Sequence, residues 1–388
     1  MSTASDLPLP IRPTWAEIDS AAFLRNVDAI VSRLPEGTRL IALMKANAYG
    51  HGAVDLARLL TPDRAAMIAV VMLEEALELR HAGITIPLLI LGPLTERQIA
   101  IAAQEGITIG IPGPEELEMA CRIARDRGLT IHLKLDSGMG RLGVTEGELA
   151  RAAELIRSAP RLEVAAIYTH FANASDPRDP FTEEQTANFD RMVARLGEAG
   201  VSAPRHHRAN SPATMRRLYR PGEFVRTGLA LYGAEPLDVG TSRLEPVMRW
   251  RTAIMRLKTL PAGHAVGYGM TFRTKRESRI ATLPVGYADG YNRLLSNRGE
   301  VLVGGRRAPV VGRVSMDLLT VDVTDVPGAE VGEEVVLLGR QGGETITPEE
   351  IGSKIGTISY EVFCAVSARV PRVYRDGQSI VIRSRFSS

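Results

Sequence analysis

Apolar positions along this chain fall into two regimes. Between residues 40 and 230, short apolar runs alternate with longer stretches whose apolar residues recur every three or four places. The runs are LIALM (40–44), MIAVV (67–71), PLLIL (87–91), TIGI (108–111), IHLKL (131–135), LEVAAIYT (162–169), the weaker APRHHRAN (203–210) and FVRTG (224–228). Between them, segments such as TERQIAIAAQEG, GPEELEMACRIARDRG and FTEEQTANFDRMVARLGEAG combine helical spacing with Thr or Pro before and Gly after. That combination predicts amphipathic helices with marked starts and stops. Ahead of the first run, DSAAFLRNVDAIVSRL sets Phe23, Leu24, Val27, Ile30, Val31 and Leu34 on one helical face. Eight strands interleaved with helices predict an α/β fold, a (β/α)8 barrel, rather than an open sheet. The weak seventh run leaves a doubly wound sheet as the alternative.

Past residue 240 the texture changes. RWRTAIMRLKTL, RIATLPV, EVLVGG, APVVG, LLTVDV, EVVLLG and SIVIR are short alternating or apolar runs punctuated by Gly and Pro. Helical periodicity nearly disappears there, except in TPEEIGSKIG. The expected organisation is a barrel over residues 1–240 and a mostly β domain over 241–388. Neither an internal repeat nor a low-complexity segment is visible.

Composition narrows the class. With 388 residues, 45% hydrophobic and 24% charged, the chain has the make-up of a globular protein with more than one core. A net charge of +2 gives no reason to expect nucleic acid as a partner. The N-terminal MSTASDLPLPIRPTW has no apolar segment of the kind a secretory signal needs, and the longest apolar run, AAMIAVVML, is about half a membrane span. Cys121 and Cys364 stand far apart without CxxC spacing. Reduced core thiols are expected, one long-range disulfide being the alternative, and the expected location is cytoplasmic.

The chemistry appears when the ends of the barrel strands are read in order, because barrel enzymes build their sites there. Lys45 and Tyr49 follow the first run, and DSGMGRLG with Arg141 follows the fifth. His170 follows the sixth, Asn210 and Ser211 the seventh, and Arg226 and Gly228 the eighth. A lone lysine at the end of LIALM would ordinarily be a snorkelling side chain. In company with an imidazole, two guanidiniums and hydroxyls, it becomes a candidate for chemistry. HExxH and Cys or His ligand spacing are absent from the sequence, so no metal is expected, and neither GxSxG nor a Walker loop is present. A strand-end lysine can form a Schiff base with pyridoxal phosphate, whose phosphate needs hydroxyl and backbone N–H donors. Arg226 and His170 are candidates to meet the ring nitrogen. His206 and His207, adjacent on a strand, point to opposite faces and read as structural.

Ten motifs then resemble alanine racemase: TWAEID (14–19), MKANAYGHG (44–52), LKLDSGMGRLG (133–143), YTHFA (168–172), RANS (208–211), RTGLALYG (226–233), VGYGMTF (266–272), LPVGYADGY (283–291), GRVSMD (312–317) and GTISYEV (356–362). The resemblance spans both predicted domains in order. It implies a pyridoxal 5′-phosphate enzyme, a homodimer with shared sites, that interconverts L-alanine and D-alanine and supplies D-alanine for peptidoglycan. By the same resemblance Lys45 is the Schiff-base lysine and one base, and Tyr268 from the partner is the other. Arg226 meets the pyridine nitrogen, with His170 between Arg226 and Tyr268. Tyr49, Ser211, Gly228, Leu229 (through its backbone) and Tyr360 serve the phosphate, and Arg141 and the backbone N–H of Met316, again from the partner, serve the substrate carboxylate. Lys134 matches a lysine often carried as a carbamate that orients Arg141, with a plain inward lysine paired with Asp136 as the alternative. Ser315 stands where the family commonly has Cys. Three rivals are a non-catalytic pyridoxal-phosphate carrier, an amino-acid decarboxylase and a racemase of other specificity. The first lacks a β domain, and the second carries cysteine and acidic motifs not seen here.

Overall fold

The computed structural model describes residues 10–234, 244–375 and 380–383. The chain divides into two compact units: Leu24–Ala48 with Ala53–Leu244, and Met1–Phe23 with Tyr49–Gly52 and Glu245–Ser388. The boundary expected between residues 240 and 241 lies outside the described residues, as do the first nine residues of the stretch inspected for a secretory signal. In chain order the first strands are β1 (Thr14–Asp19), β2 (Arg39–Leu43), β3 (Met67–Val70), β4 (Leu88–Ile90), β5 (Thr108–Ile111), β6 (Leu129–Lys134), β7 (Leu162–Tyr168), β8 (Arg205–His207), β9 (Phe224–Thr227) and β10 (Met248–Ala253).

Strands β2 to β9 make an eight-stranded parallel sheet in the order β8-β7-β6-β5-β4-β3-β2-β9. Each of the eight apolar runs thus supplies one strand of a nearly closed barrel, as expected. The sheet curls because β9 returns to β2, with Ile41 opposite Arg226. Where β8 faces β9, the Arg226 N–H donates to the Ala209 carbonyl at 2.9 Å. Ile41, Ala42, Ile68, Ala69, Leu89 and Ile90 are fully buried, as continuous apolar strands covered on both faces should be. Strand β8 is short and polar, and its buried His207 is held by hydrogen bonds as well as by stacking on the Tyr168 ring at 4.5 Å.

The other unit begins with β1. Five of its six residues are buried, and it pairs antiparallel with β10 and parallel with Arg372–Arg375. The Thr14 and Thr252 hydroxyls meet at 2.8 Å across the β1–β10 pair. A three-stranded sheet joins Arg256–Leu260, Ser278–Leu283 and Leu319–Asp322. TPEEIGSKIG forms the expected helix Pro348–Ile355, but a second helix, Ser359–Ala365, follows it. Seven residues are too few for helical periodicity to show in a sequence. Both cysteines are free; Cys121 is buried, whereas Cys364, expected in a core, is exposed.

Within this unit the segment Tyr49–Gly52 is locked by the chain's far end. The buried guanidinium of Arg372 donates to the carbonyls of Gly50 (3.0 Å), Val366, Ser367 and Val370. Tyr374 Oη donates to the His51 carbonyl at 2.9 Å. A Cβ on Gly50 would lie 2.5 Å from the Phe363 carbonyl, and one on Gly52 would lie 1.7 Å from Tyr374 Oη. The glycines of MKANAYGHG are therefore required by close approach as well as by their positive φ.

Candidate active site

One residue, Met44, separates Lys45 from the C-terminal end of β2. Arg226 lies on β9 and is buried, and its guanidinium makes an extended set of bonds. One terminal nitrogen donates to His207 Nδ1 at 2.7 Å and to the His207 carbonyl at 3.0 Å. The other donates to the carbonyls of Thr169 (2.8 Å) and Arg208 (3.3 Å) and to His170 Nδ1 at 3.0 Å. Burial lowers its pKa to about 10, still charged at neutral pH.

Because a guanidinium can only donate, both imidazole Nδ1 atoms accept, and His170 and His207 carry their protons on Nε2. His207 Nε2–H then donates to His132 Nδ1 at 2.9 Å, so His132 also carries its proton on Nε2. All three imidazoles are neutral for the same reasons. Burial pushes His132 down to about 3, with Arg226 adding to the effect. His207 is held well below the usual range by burial, then by Arg226. His170 is likewise lowered by burial first, then by the positive charges of Arg226, Lys134, Arg141 and Lys45. Four cationic side chains thus act on one imidazole at the C-terminal rim of the barrel.

The lysine on β6 is buried. Lys134 is lowered to about 8, first by burial and then by Arg141 and Arg226, with Asp136 opposing. The exposed Arg141 sits on a loop shaped by Asp136, whose Oδ1 accepts from Gly138 (3.0 Å) and Gly140 (3.1 Å). At the end of β8, Asn210 caps the turn Ser211–Met215 by accepting from the Ala213 N–H at 3.1 Å. Ser211 Oγ is buried and accepts from the Gly228 N–H at 2.9 Å, leaving its own proton to donate. Leu229 opens a short helical turn, Leu229–Tyr232, where the first backbone N–H groups of a helix face outward from its hydrogen-bond ladder.

In the other unit, the Tyr49 and Tyr360 rings lie 5.8 Å apart. Burial raises the Tyr49 phenol strongly, with Tyr360 and Cys364 adding to the effect, and burial raises Tyr360. Tyr268 stands between Gly267 and Gly269, both at positive φ, and is 71% exposed. Met316, also exposed, lies beside Gly286, where a Cβ would fall 2.3 Å from its carbonyl oxygen.

Two residues of this network were not singled out by the sequence. His207 read as structural, and His132 passed as part of an apolar run. The alternation of β8 does hold: His206 packs edge-on against Phe189 while its neighbour turns to Arg226. A signal was available in the inward register that His132 shares with Lys134 on β6. Among the described residues, no group of three His, Cys, Asp or Glu is placed to hold a metal, and no helix is long and apolar enough to cross a membrane.

Fold and donor set together define a barrel enzyme whose rim gathers amines and strong donors around the buried Arg226 guanidinium. The model of the alanine racemase N-terminal domain matches residues 18–236, and that of the C-terminal domain matches residues 247–374. An alanine racemase of Symbiobacterium thermophilum is 42% identical over 94% of this chain and 97% of its own length. One from Methanococcus maripaludis is 40% identical over 93% and 98%. The crystal structure of alanine racemase from Bacillus anthracis with bound L-Ala-P superposes with a TM-score of 0.91 at 36% identity, covering 97% of this chain and 99% of that one. That from Bartonella henselae with covalently bound pyridoxal phosphate gives 0.86 at 29%, over 94% and 99%. The chain belongs to the alanine racemase family. It is an amino-acid racemase, and the family implies pyridoxal 5′-phosphate as its cofactor.

The residues present fit that group. A strand-end amine suits an aldehyde, the Ser211 hydroxyl with the Gly228 and Leu229 turn suits a phosphate, and a donor-only guanidinium suits an unprotonated ring nitrogen.

Proposed function

We propose that the protein interconverts L-alanine and D-alanine with two bases on opposite faces of the substrate Cα. Pyridoxal phosphate, when bound, supplies the aldehyde that captures the substrate amine and the conjugated ring that eases loss of the Cα proton. Lys45 Nζ holds the cofactor and exchanges a proton on one face, and Tyr268 Oη, contributed by a second copy of the chain, does so on the other. Arg226 donates to the ring nitrogen, and His170 Nε2–H relays between Arg226 and Tyr268. Tyr49, Ser211, Gly228, Leu229 and Tyr360 hold the phosphate, and Asn210 keeps Ser211 in place. Arg141 and the Met316 backbone N–H, the latter contributed by the second copy of the chain, receive the substrate carboxylate. Lys134, with its lowered pKa, has the neutral fraction that carbamate formation requires, and the carbamate would orient Arg141.

The observation that carries this reading is the crowd of positive charge acting on His170. Two of those charges, Arg141 and Arg226, also help to lower the Lys134 amine after burial has done so. The barrel acts as the cofactor-binding domain, the β unit contributes to the partner's site, and the active form is a homodimer. The family resemblance supports a cytoplasmic role that supplies D-alanine for peptidoglycan. Racemisation of a panel of L-amino acids, with and without added pyridoxal phosphate, tests it. Alanine should turn over fastest and need the cofactor; no turnover of alanine with cofactor present would refute the reading.

A further inference from the structure

Ala46, Asn47, Ala48 and Tyr49 have φ of 52, 53, 53 and 52°. The matching ψ of 47, 51 and 50° at Ala46 to Ala48 make this one turn of left-handed helix directly after Lys45. For L residues that conformation costs roughly 1–2 kcal/mol each, so the turn must be held by its surroundings. Among the bonds that hold it, the Ala48 N–H donates to the Met44 carbonyl at 2.8 Å, and the Ala53 N–H donates to Asn47 Oδ1 at 2.7 Å. Another comes from 29 residues away, where Glu75 Oε1 accepts the Ala46 N–H at 2.6 Å.

Glu75 belongs to the first turn of the helix Leu73–His81. Its other oxygen, Oε2, already serves that helix by accepting from Met72 (3.1 Å) and from Val71 (2.9 Å) just after β3. A capping glutamate needs no more than that. Its remaining oxygen instead reaches across to the neighbouring strand end. The Ala46 side chain is exposed, so packing does not fix that residue.

We infer that Glu75 is a positioning residue for Lys45: its carboxylate clamps the first residue of the left-handed turn and thereby holds the lysine in the attitude that takes up cofactor. The inference rests on Lys45 being the cofactor lysine. A glycine adopts positive φ without steric cost, so a glycine at position 46 makes the clamp dispensable if its task is to hold a strained turn. A charge effect of Glu75 on the Lys45 amine would not be relieved in that way.

The test uses the full chain as Glu75→Ala, Glu75→Gln, Ala46→Gly and the double variant Glu75→Ala with Ala46→Gly. Cofactor affinity is read by equilibrium dialysis of pyridoxal 5′-phosphate, and attachment by the mass of the Lys45 peptide after borohydride reduction. Amide hydrogen exchange at residues 46–48 reports the turn without any cofactor. Glu75→Ala should weaken cofactor binding about tenfold and speed exchange of the turn by a similar factor. Glu75→Gln, which keeps one acceptor oxygen, should fall between and covers a failure of the alanine variant to fold. The double variant should recover cofactor affinity to within about threefold of the unmodified protein. Unchanged exchange at residues 46–48 in both Glu75 variants overturns the inference, as does a double variant no better than Glu75→Ala. Borohydride fixation on some peptide other than Lys45 would overturn the lysine assignment instead, and the exchange rates would still decide whether Glu75 holds the turn.

Discussion

Arg226 sets the protons of three imidazoles by donating to two of them and, through His207, to a third. The arrangement has a consequence for acid stability. The folded-state pKa of His132 is about 3, and those of His170 and His207 are well below the ordinary value, whereas in the unfolded chain all three titrate near 6.5. Unfolding therefore takes up protons, and the stability present above about pH 6.5 is lost as pH falls from there toward 3. Each histidine kept neutral costs roughly 1.4 kcal/mol per pH unit in that window. Thermal midpoints measured at falling pH should drop from about 6.5 downward, with more than one proton taken up per molecule. A midpoint flat down to about pH 5 would show that these imidazoles are not held neutral. Arg226 and His170 could be picked out of the sequence because each ends a barrel strand. For His132 the inward register was readable, but not that the His207 imidazole two strands away donates to it.

At the scale of the element, the eight barrel strands were legible because burial on both faces leaves an apolar run with little else to be. The left-handed turn after Lys45 was not. Its sequence, Ala-Asn-Ala-Tyr, holds one residue tolerant of positive φ and three that resist it, and the conformation is imposed from outside. Strand β1 was quoted as a motif and not as a strand, because its partners lie more than 200 residues away. Glycines mark such long-range contacts without naming the partner. Gly52→Ala should destabilise by about 2–4 kcal/mol, since a Cβ there invades the buried Tyr374 and the residue sits at a φ of 99°. Gly263→Ala, also at positive φ but with nothing within 4 Å, should cost only about 1 kcal/mol. Denaturant unfolding of the pair separates the two terms. Equal losses would mean that Tyr374 yields freely.

For the whole molecule, the proposed bases come from different units, Lys45 from the barrel and Tyr268 from the β unit. Tyr268, Met270, Met316 and Leu318 are all large, apolar or aromatic, and exposed. A shared site makes a sharp demand on mixtures. Lys45→Ala and Tyr268→Phe should each be nearly inactive alone. Mixed and allowed to exchange subunits, they should recover up to about a quarter of the unmodified rate, because half the dimers carry one intact site of two. Absence of any recovery after confirmed exchange would place both bases within one chain. The same discontinuity bears on how the molecule comes into being. The barrel is complete once residue 244 has been made, whereas β1 must wait for Met248–Ala253 to pair one edge and for Arg372–Arg375 to pair the other. On the ribosome, where N-terminal regions fold first, the earliest strand to emerge is thus among the last to find its place. Until then Trp15 and Ile18, buried in the finished protein, belong to a nascent chain with nowhere to hide them. Translation speed and chaperone supply thereby become determinants of yield for a protein whose barrel could otherwise fold early.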